Sequence, residues 1–294
     1  MMAQVKQKRH WVSYLALGIG ILSLGLSPVL VRLANAPGAV SMFYRVGIAV
    51  VLLALPFFWE VKNKTPLPRR GIWLALLGGL LFSGDLVFWS TGVMLSGATN
   101  PTLMASTAPV WVSLGAIIFF RENLPAKFWA GLVLAMVGAI IVLEVDHLQA
   151  VELGLGTLFG LIAAVFYGSY FLVTQLGREM LDSLTYFWIA ALSNTVALLV
   201  FCLAFRQALI GYTLYTYLIF LTMGILAQVG GFLSITYAQG FLSASIVSTT
   251  LLIQPVITAL LAALLLGESF LGLQVLGGIV LLGGVVIVNL THPG

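Results

Sequence analysis

Apolar residues run through this chain in long stretches, broken by charges, prolines and small polar clusters. A bilayer core about 30 Å thick takes roughly 20 residues of helix. Cutting the chain at its breaks yields ten stretches near that length: about 12–31, 39–59, 71–95, 99–119, 125–143, 153–176, 183–205, 212–239, 243–265 and 270–290. Most breaks are short and turn-like: Asn35-Ala36-Pro37-Gly38, Ser96-Gly97-Ala98-Thr99, Arg121-Glu122-Asn123 and Gly267-Glu268-Ser269. Two are fuller, Glu60 to Arg70 and Glu144 to Glu152; the second is acidic and lacks Lys and Arg. The pattern predicts an all-α polytopic membrane protein with ten transmembrane helices.

The pattern also repeats. The stretch from Ala98 to Leu124 falls onto that from Ala244 to Phe270 at an offset of 146 positions, so that Ala98 meets Ala244, Pro109 meets Pro255 and Glu122 meets Glu268. The register continues through Gly131 and Gly277, Gly138 and Gly284, and Ile141-Val142 and Ile287-Val288. A fixed offset near half the chain marks a duplicated unit. We read residues 1–146 as a first five-helix repeat and 147–294 as a second. Five is odd, so the second copy enters the membrane from the opposite face and the two repeats are inverted. Between inverted repeats is where transporter substrate sites commonly lie.

Composition supports lipid as the solvent. The 294 residues are 61% hydrophobic and 7% charged, against about 25% charged in soluble domains. The formal charge of +4 is therefore no nucleic-acid signal; its distribution matters instead. With the N-terminus in the cytoplasm, the inside collects Lys6, Lys8, Arg9, Lys62, Lys64, Arg69, Arg70, Arg121, Lys127 and Arg178. The outside collects only Arg32 and Arg206, and Arg45 lies within a span. Ten basic residues against two predict both termini in the cytoplasm of a cell (inner) membrane. The basic start leads into a run of spanning length without a cleavage-site layout, so the first helix is expected to stay as an anchor. The single Cys202 excludes an intrachain disulfide.

The two five-helix repeats, the Ala-x-x-x…Pro pattern of the fourth and ninth helices, and the closing glutamates (Glu122 in Arg-Glu-Asn, Glu268 in Gly-Glu-Ser) resemble the drug/metabolite transporter superfamily in its EamA branch. The resemblance covers essentially the whole chain. It implies a basket of ten helices around a central cavity, lined mainly by helices 1, 3, 4, 6, 8 and 9, with 5 and 10 further out. It also implies alternating access by rocking of the halves and, often, export from the bacterial cytoplasm. The family handles amino acids, nucleosides, sugars, nucleotide sugars and cationic drugs on one scaffold.

Candidate site residues follow from the interruptions. Pro109 and Pro255 sit mid-span, where proline removes a donor and frees the carbonyls of Ala105 and Leu251. In lipid such groups need partners or a wet cavity, and matched interruptions in two halves point to a transporter site. Thr102, Ser106 and Ser113 share a face around Pro109; Ser245, Ser248 and Thr249 do so on the ninth helix, with Gln254 beside its proline. The alternative is a packing kink whose hydroxyls bond their own backbone.

Asp85 is the only carboxylate deep in any span. A charge there costs about 2.5–3.5 kcal/mol even on a lenient scale, so it is expected to face inward, paired or protonated. Arg45, displaced by roughly 6 Å along the axis, is the obvious partner; the pair either locks two helices or leaves Asp85 to contact substrate or carry a proton. Arg45 itself either snorkels from the outer end of its span or holds a substrate carboxylate with its planar fork. Trp89, Trp111, Tyr167 and Tyr237 fall near mid-depth and could stack on a planar or cationic solute, although core packing is the commoner fate of such rings. Phe88, Tyr170 and Phe232 are nearby aromatics, whereas Trp59, Trp73 and Trp129 suit an interfacial belt. Asn100, Gln228, Gln239 and Asn194 are neutral polar candidates. The glycines Gly131, Gly138, Gly277 and Gly284 suit close helix contact, within the chain or in a homo-oligomer.

Other classes lack support. There is no Walker A loop, H-E-x-x-H or G-x-S-x-G, and His10, His147 and His292 lie outside the spans. No catalytic set, resident metal or cofactor is expected. The expectation is a secondary transporter of a small metabolite such as an amino acid or nucleoside, driven by a gradient of solute or protons. The alternatives are a non-transporting scaffold or receptor-like protein on the same bundle, or an intramembrane enzyme.

Overall fold

The computed structural model describes residues 2–62, 66–96, 99–143, 154–267 and 272–291. Among them every regular element is helical. Ten spans are long and apolar enough to cross a bilayer: α1 (Trp11–Ala34), α2 (Gly38–Lys62), α3 (Arg69–Leu95), α4 (Pro101–Phe120), α5 (Ala126–Leu143), α6 (Leu155–Arg178), α7 (Ser183–Ala204), α8 (Leu214–Ala238), α9 (Ala244–Leu265) and α10 (Gly272–Thr291). Their ends differ from the sequence reading by at most three residues. Glu268, Lys64 and the acidic loop of Glu144, Asp146 and Glu152 lie outside the described residues, as do His147 and His292.

Local chemistry sets the ends. Asp182 caps α7 by accepting from the Thr185 amide at 2.9 Å, and Thr213 caps α8 by accepting from the Thr216 amide at 3.2 Å. α1 ends at Asn35, in the left-handed region at φ 47°, followed by Pro37. The repeat reappears in backbone geometry: α4 ends at Arg121 (φ 54°) and α9 at Gly267 (φ 69°), equivalent positions at the offset of 146. Glycine adopts that conformation freely, while Arg121 adopts it against its Cβ.

The chain gathers into two compact units that interleave the repeats. The first takes Met1–Ser83 and Val173–Ser243, the second Gly84–Leu172 and Ala244–Gly294. Each therefore draws on both sequence copies, and α3 and α6 contribute a part to each.

In the second unit α5 and α10 pack backbone to backbone. A Cβ on Gly138 would stand 2.3 Å from the Leu281 amide nitrogen, and one on Gly284 2.3 Å from that of Ala135. Gly131 meets the Gly284 carbonyl while Gly138 meets that of Gly277. The numbers run in opposite senses, so the pair is antiparallel, and exchanging the two repeats maps the contact onto itself. That is the local signature of inverted copies. Phe128, Leu132, Leu281 and Val288 close around it. The glycine faces are thus used inside the chain. Trp129, expected in an interfacial belt, is half-buried against this cluster.

In the first unit α2 and α7 are the antiparallel pair. Trp188 stacks on Phe57 at 4.0 Å and donates to the Val50 carbonyl at 2.9 Å, while Gly47 faces Thr195. Tyr186 is wedged between α3 and α6: a Cβ on Gly78 would meet its hydroxyl at 2.3 Å, and one on Gly177 its ring at 2.1 Å. Its hydroxyl is bonded to Thr174 at 3.1 Å. On the outside of the spans Leu55, Ile118, Leu264 and Leu290 stand exposed, as do Trp59 and Trp73 at helix ends. Lipid is the solvent that makes such faces stable.

Candidate functional site

Both mid-span prolines break their helices. In α4 the α-helix stops at Ala105 and resumes at Ala108, with Thr107 and Val110 turning back three residues, to the carbonyls of Met104 and Thr107. In α9 a 3₁₀ turn at Leu251–Ile253 precedes Gln254 and Pro255. The cause is the missing proline donor and the crowding of its ring against the preceding turn. The two breaks occupy equivalent repeat positions. α4 and α9 also meet: Ser245 at the start of α9 donates to Glu122 Oε2 at 2.8 Å, which places the Glu122 carboxylate at the N-terminus of that helix, where a negative charge is favoured.

Around the α4 break the hydroxyls follow the packing-kink alternative. Ser106 donates to the Thr102 carbonyl at 2.9 Å and Ser113 to that of Pro109 at 2.7 Å. On α9, Thr249 and Thr250 do likewise to Ser245 and Ile246. Trp89 ties α3 to α4 by donating to Thr102 Oγ1 at 3.1 Å. Trp111 donates to Thr107 at 3.3 Å with its ring 36% exposed. Tyr167 lies parallel to Tyr170 and edge-on to Phe171, and the next residue, Gly168, faces Trp111. Gln254 keeps a buried Nε2 with no hydrogen-bond partner. Thr250, just before the 3₁₀ turn, accepts from Asn289 of α10 at 3.1 Å. Asp85, Trp89, Ser106, Pro109, Trp111, Tyr167, Gln254 and Pro255 therefore all belong to the second unit, and Asp85 is 9% exposed there.

Arg45 and Tyr237 belong to the first unit. Arg45 is 5% exposed, so it does not snorkel. Its Nη1 donates to Ser27 Oγ at 3.2 Å and its guanidinium lies 5.4 Å over the Phe232 ring. Ser27 follows the bend at Leu26 in α1, ahead of Pro28. Phe232 lies in a π-helical stretch of α8, Met223–Leu233, and π-helical turns recur at functional sites. Tyr237 sits more than a turn further on, against Phe241 at 5.2 Å. The sequence reading missed Ser27, the α1 bend and the π-helix; Pro28 and the Gly230-Gly231 pair were the available signals.

Two further amides of the first unit are buried. Asn194 on α7 is 1% exposed and neither its Nδ2 nor its Oδ1 has a hydrogen-bond partner; Gln228 on α8 is 2% exposed and its Oε1 has none. Each such group costs about 1–3 kcal/mol if left dry and unpaired. Among the described residues no group of three or more His, Cys, Asp and Glu is placed to hold a metal.

Comparison with known proteins places the chain. The model of the EamA-like transporter family matches residues 11–144 and again 154–290. Transporter YdfC of Bacillus subtilis is 23% identical, over 81% of this chain and 76% of its own. The pseudopaline exporter CntI of Pseudomonas aeruginosa is 24% identical over 89% of both chains. A solved structure titled "Crystal structure of protein" superposes with a TM-score of 0.80, covering 98% of this chain and 99% of its own at 15% identity, which speaks to the fold.

Proposed function

This chain belongs to the EamA-like transporter family, and from that premise we propose that it is a secondary exporter of a small metabolite, of the amino-acid or nucleoside class, working by alternating access. It is a multi-pass membrane protein; we place it in the bacterial inner membrane with both termini in the cytoplasm, on the asymmetry of its basic residues.

The observation that carries this reading is the pair of broken helices. α4 and α9 lose regular α-hydrogen bonding at equivalent mid-span positions. Breaks of that kind let a helix flex without unfolding and offer backbone carbonyls to a polar solute. Polar groups collect beside them: Gln254 next to one proline, and Trp89 and Trp111 held by threonines next to the other. Export agrees with the similarity to a named exporter over most of both chains. No nucleotide-binding loop is present in the sequence, so the driving force is a gradient of solute or of protons.

The test is solute counterflow in proteoliposomes with a panel of amino acids and nucleosides. At least one solute is expected to exchange, and in cells overproducing the protein to leave faster than it enters. Absence of exchange across the panel sinks the transport reading; net uptake overturns export alone.

A further inference from the structure

The end of the first unit that we place in the cytoplasm is tied together by a cation that the kinked helices do not use. Arg178, the last residue of α6, donates from Nε to the Thr236 carbonyl of α8 at 2.9 Å and from Nη1 to the Leu181 carbonyl just ahead of α7. All of these residues belong to the first unit. Both carbonyls are ones that the helix ends leave over. The Gly240 amide turns to Tyr237 at 3.0 Å instead of to Thr236, and the Thr185 amide goes to the Asp182 side chain instead of to Leu181. A guanidinium beside the C-terminal carbonyls of α8 is favoured by its charge as well. The fit is close: a Cβ on Gly240 would stand 2.5 Å from Nη2 and 3.1 Å from Cζ. Shortly after that glycine, at Ser243, the chain leaves the unit.

The repeat gives Arg178 a counterpart. At the offset of 146 it falls on Arg32, two residues before the end of α1. Because the copies are inverted, Arg32 stands at the opposite face of the membrane. The two arginines differ in setting, Arg178 being half-buried and Arg32 exposed. Equivalent residues in unlike settings are what inverted copies show when access is open on one side at a time, because each side in turn takes the arrangement that the other has left.

We propose that Arg178 is a cytoplasmic latch. Its two bonds hold the state in which this end of the first unit is shut, and Arg32 holds the opposite state from the outer face. The Arg178 bonds then break and re-form in every cycle. The proposal rests on the alternating-access part of the transport reading, but the latch can be observed without any solute.

The experiment is the rate at which a membrane-impermeant maleimide labels Leu242→Cys in inside-out membrane vesicles, in a Cys202→Ala background of the full chain. Leu242 is 2% exposed in the turn beyond Gly240, so its labelling reports opening of this end. Arg178→Gln is expected to label about tenfold faster than the parent, the worth of a charged group's hydrogen bonds when only one of two states makes them. Gly240→Ala, whose new methyl displaces the guanidinium, is expected to do the same. Adding Arg32→Gln to either variant is expected to bring the rate back toward the parent's, because both states have then lost a latch. An arginine that only capped helix ends would loosen them locally, and no change at the far face would correct that. Unchanged labelling in both Arg178→Gln and Gly240→Ala, or faster labelling that Arg32→Gln leaves untouched, would overturn the latch. If Arg178→Gln does not fold, Gly240→Ala carries both comparisons. Coupled labelling without counterflow would sink the transport reading and keep the latch; counterflow with uncoupled labelling would do the reverse.

Discussion

Asp85 is the lone carboxylate deep in a span, and at 9% exposure it is kept out of lipid. A charged carboxylate at that depth costs about 2.5–3.5 kcal/mol, and we propose that it works in transport. Asp85→Asn is expected to cut flux about tenfold or more, the worth of a hydrogen bond to a charged group, and to flatten its pH profile in proteoliposomes. An unchanged rate and profile would remove Asp85 from the mechanism. Tyr186 presents the opposite case, a residue whose role is packing. Glycines press it from two helices, so Gly177→Ala is expected to destabilise by about 1–3 kcal/mol through overpacking, read as a lowered unfolding temperature, with little effect on solute affinity. Asp85 and Arg45 were legible as residues, because charge inside an apolar run needs no structure to notice. Their surroundings were not. Ser27 and Phe232 lie 18 and 187 positions from Arg45 along the chain, and nothing local marks them as its neighbours.

Helices α4 and α9 show the same division one level up. The positions of their breaks follow from Pro109 and Pro255, since proline acts on its own helix. How the breaks are healed, by three-residue turns in α4 and a 3₁₀ turn in α9, depends on neighbours. Pro255→Ala is expected to keep or raise thermal stability, because interior proline costs about 3 kcal/mol in a helix, while flux falls as the ninth helix stiffens. Retained flux would mean that the break is not a moving part. The α5–α10 pair makes the converse point. Its glycine spacing predicted close contact, and the structure supplies the partner. Gly138→Ala or Gly284→Ala is expected to cost about 1–3 kcal/mol, because the new Cβ meets backbone, which cannot step aside. The π-helical stretch of α8, Met223–Leu233, had only the Gly230-Gly231 pair to announce it.

Across the whole molecule, the ten spans and their inversion set a testable topology. In a Cys202→Ala background, Gln207→Cys is expected to react with a membrane-impermeant maleimide on intact cells, and Lys62→Cys only after the membrane is opened. The reverse pattern would invert the protein and the sense of its export. The sequence by itself determined the number of spans, their ends, the duplication, the inversion and the sites of the proline breaks. All of these are properties of single segments or of parity: hydropathy acts over one helix length, and an odd count of spans must reverse the next copy. Tertiary structure decided which helices share a unit, that α3 and α6 are divided between two units, and that Ser27 and Phe232 meet at Arg45. Contacts of that kind join residues far apart in the chain through packing of apolar faces in lipid, where nearly every face is apolar and no single segment specifies its neighbour.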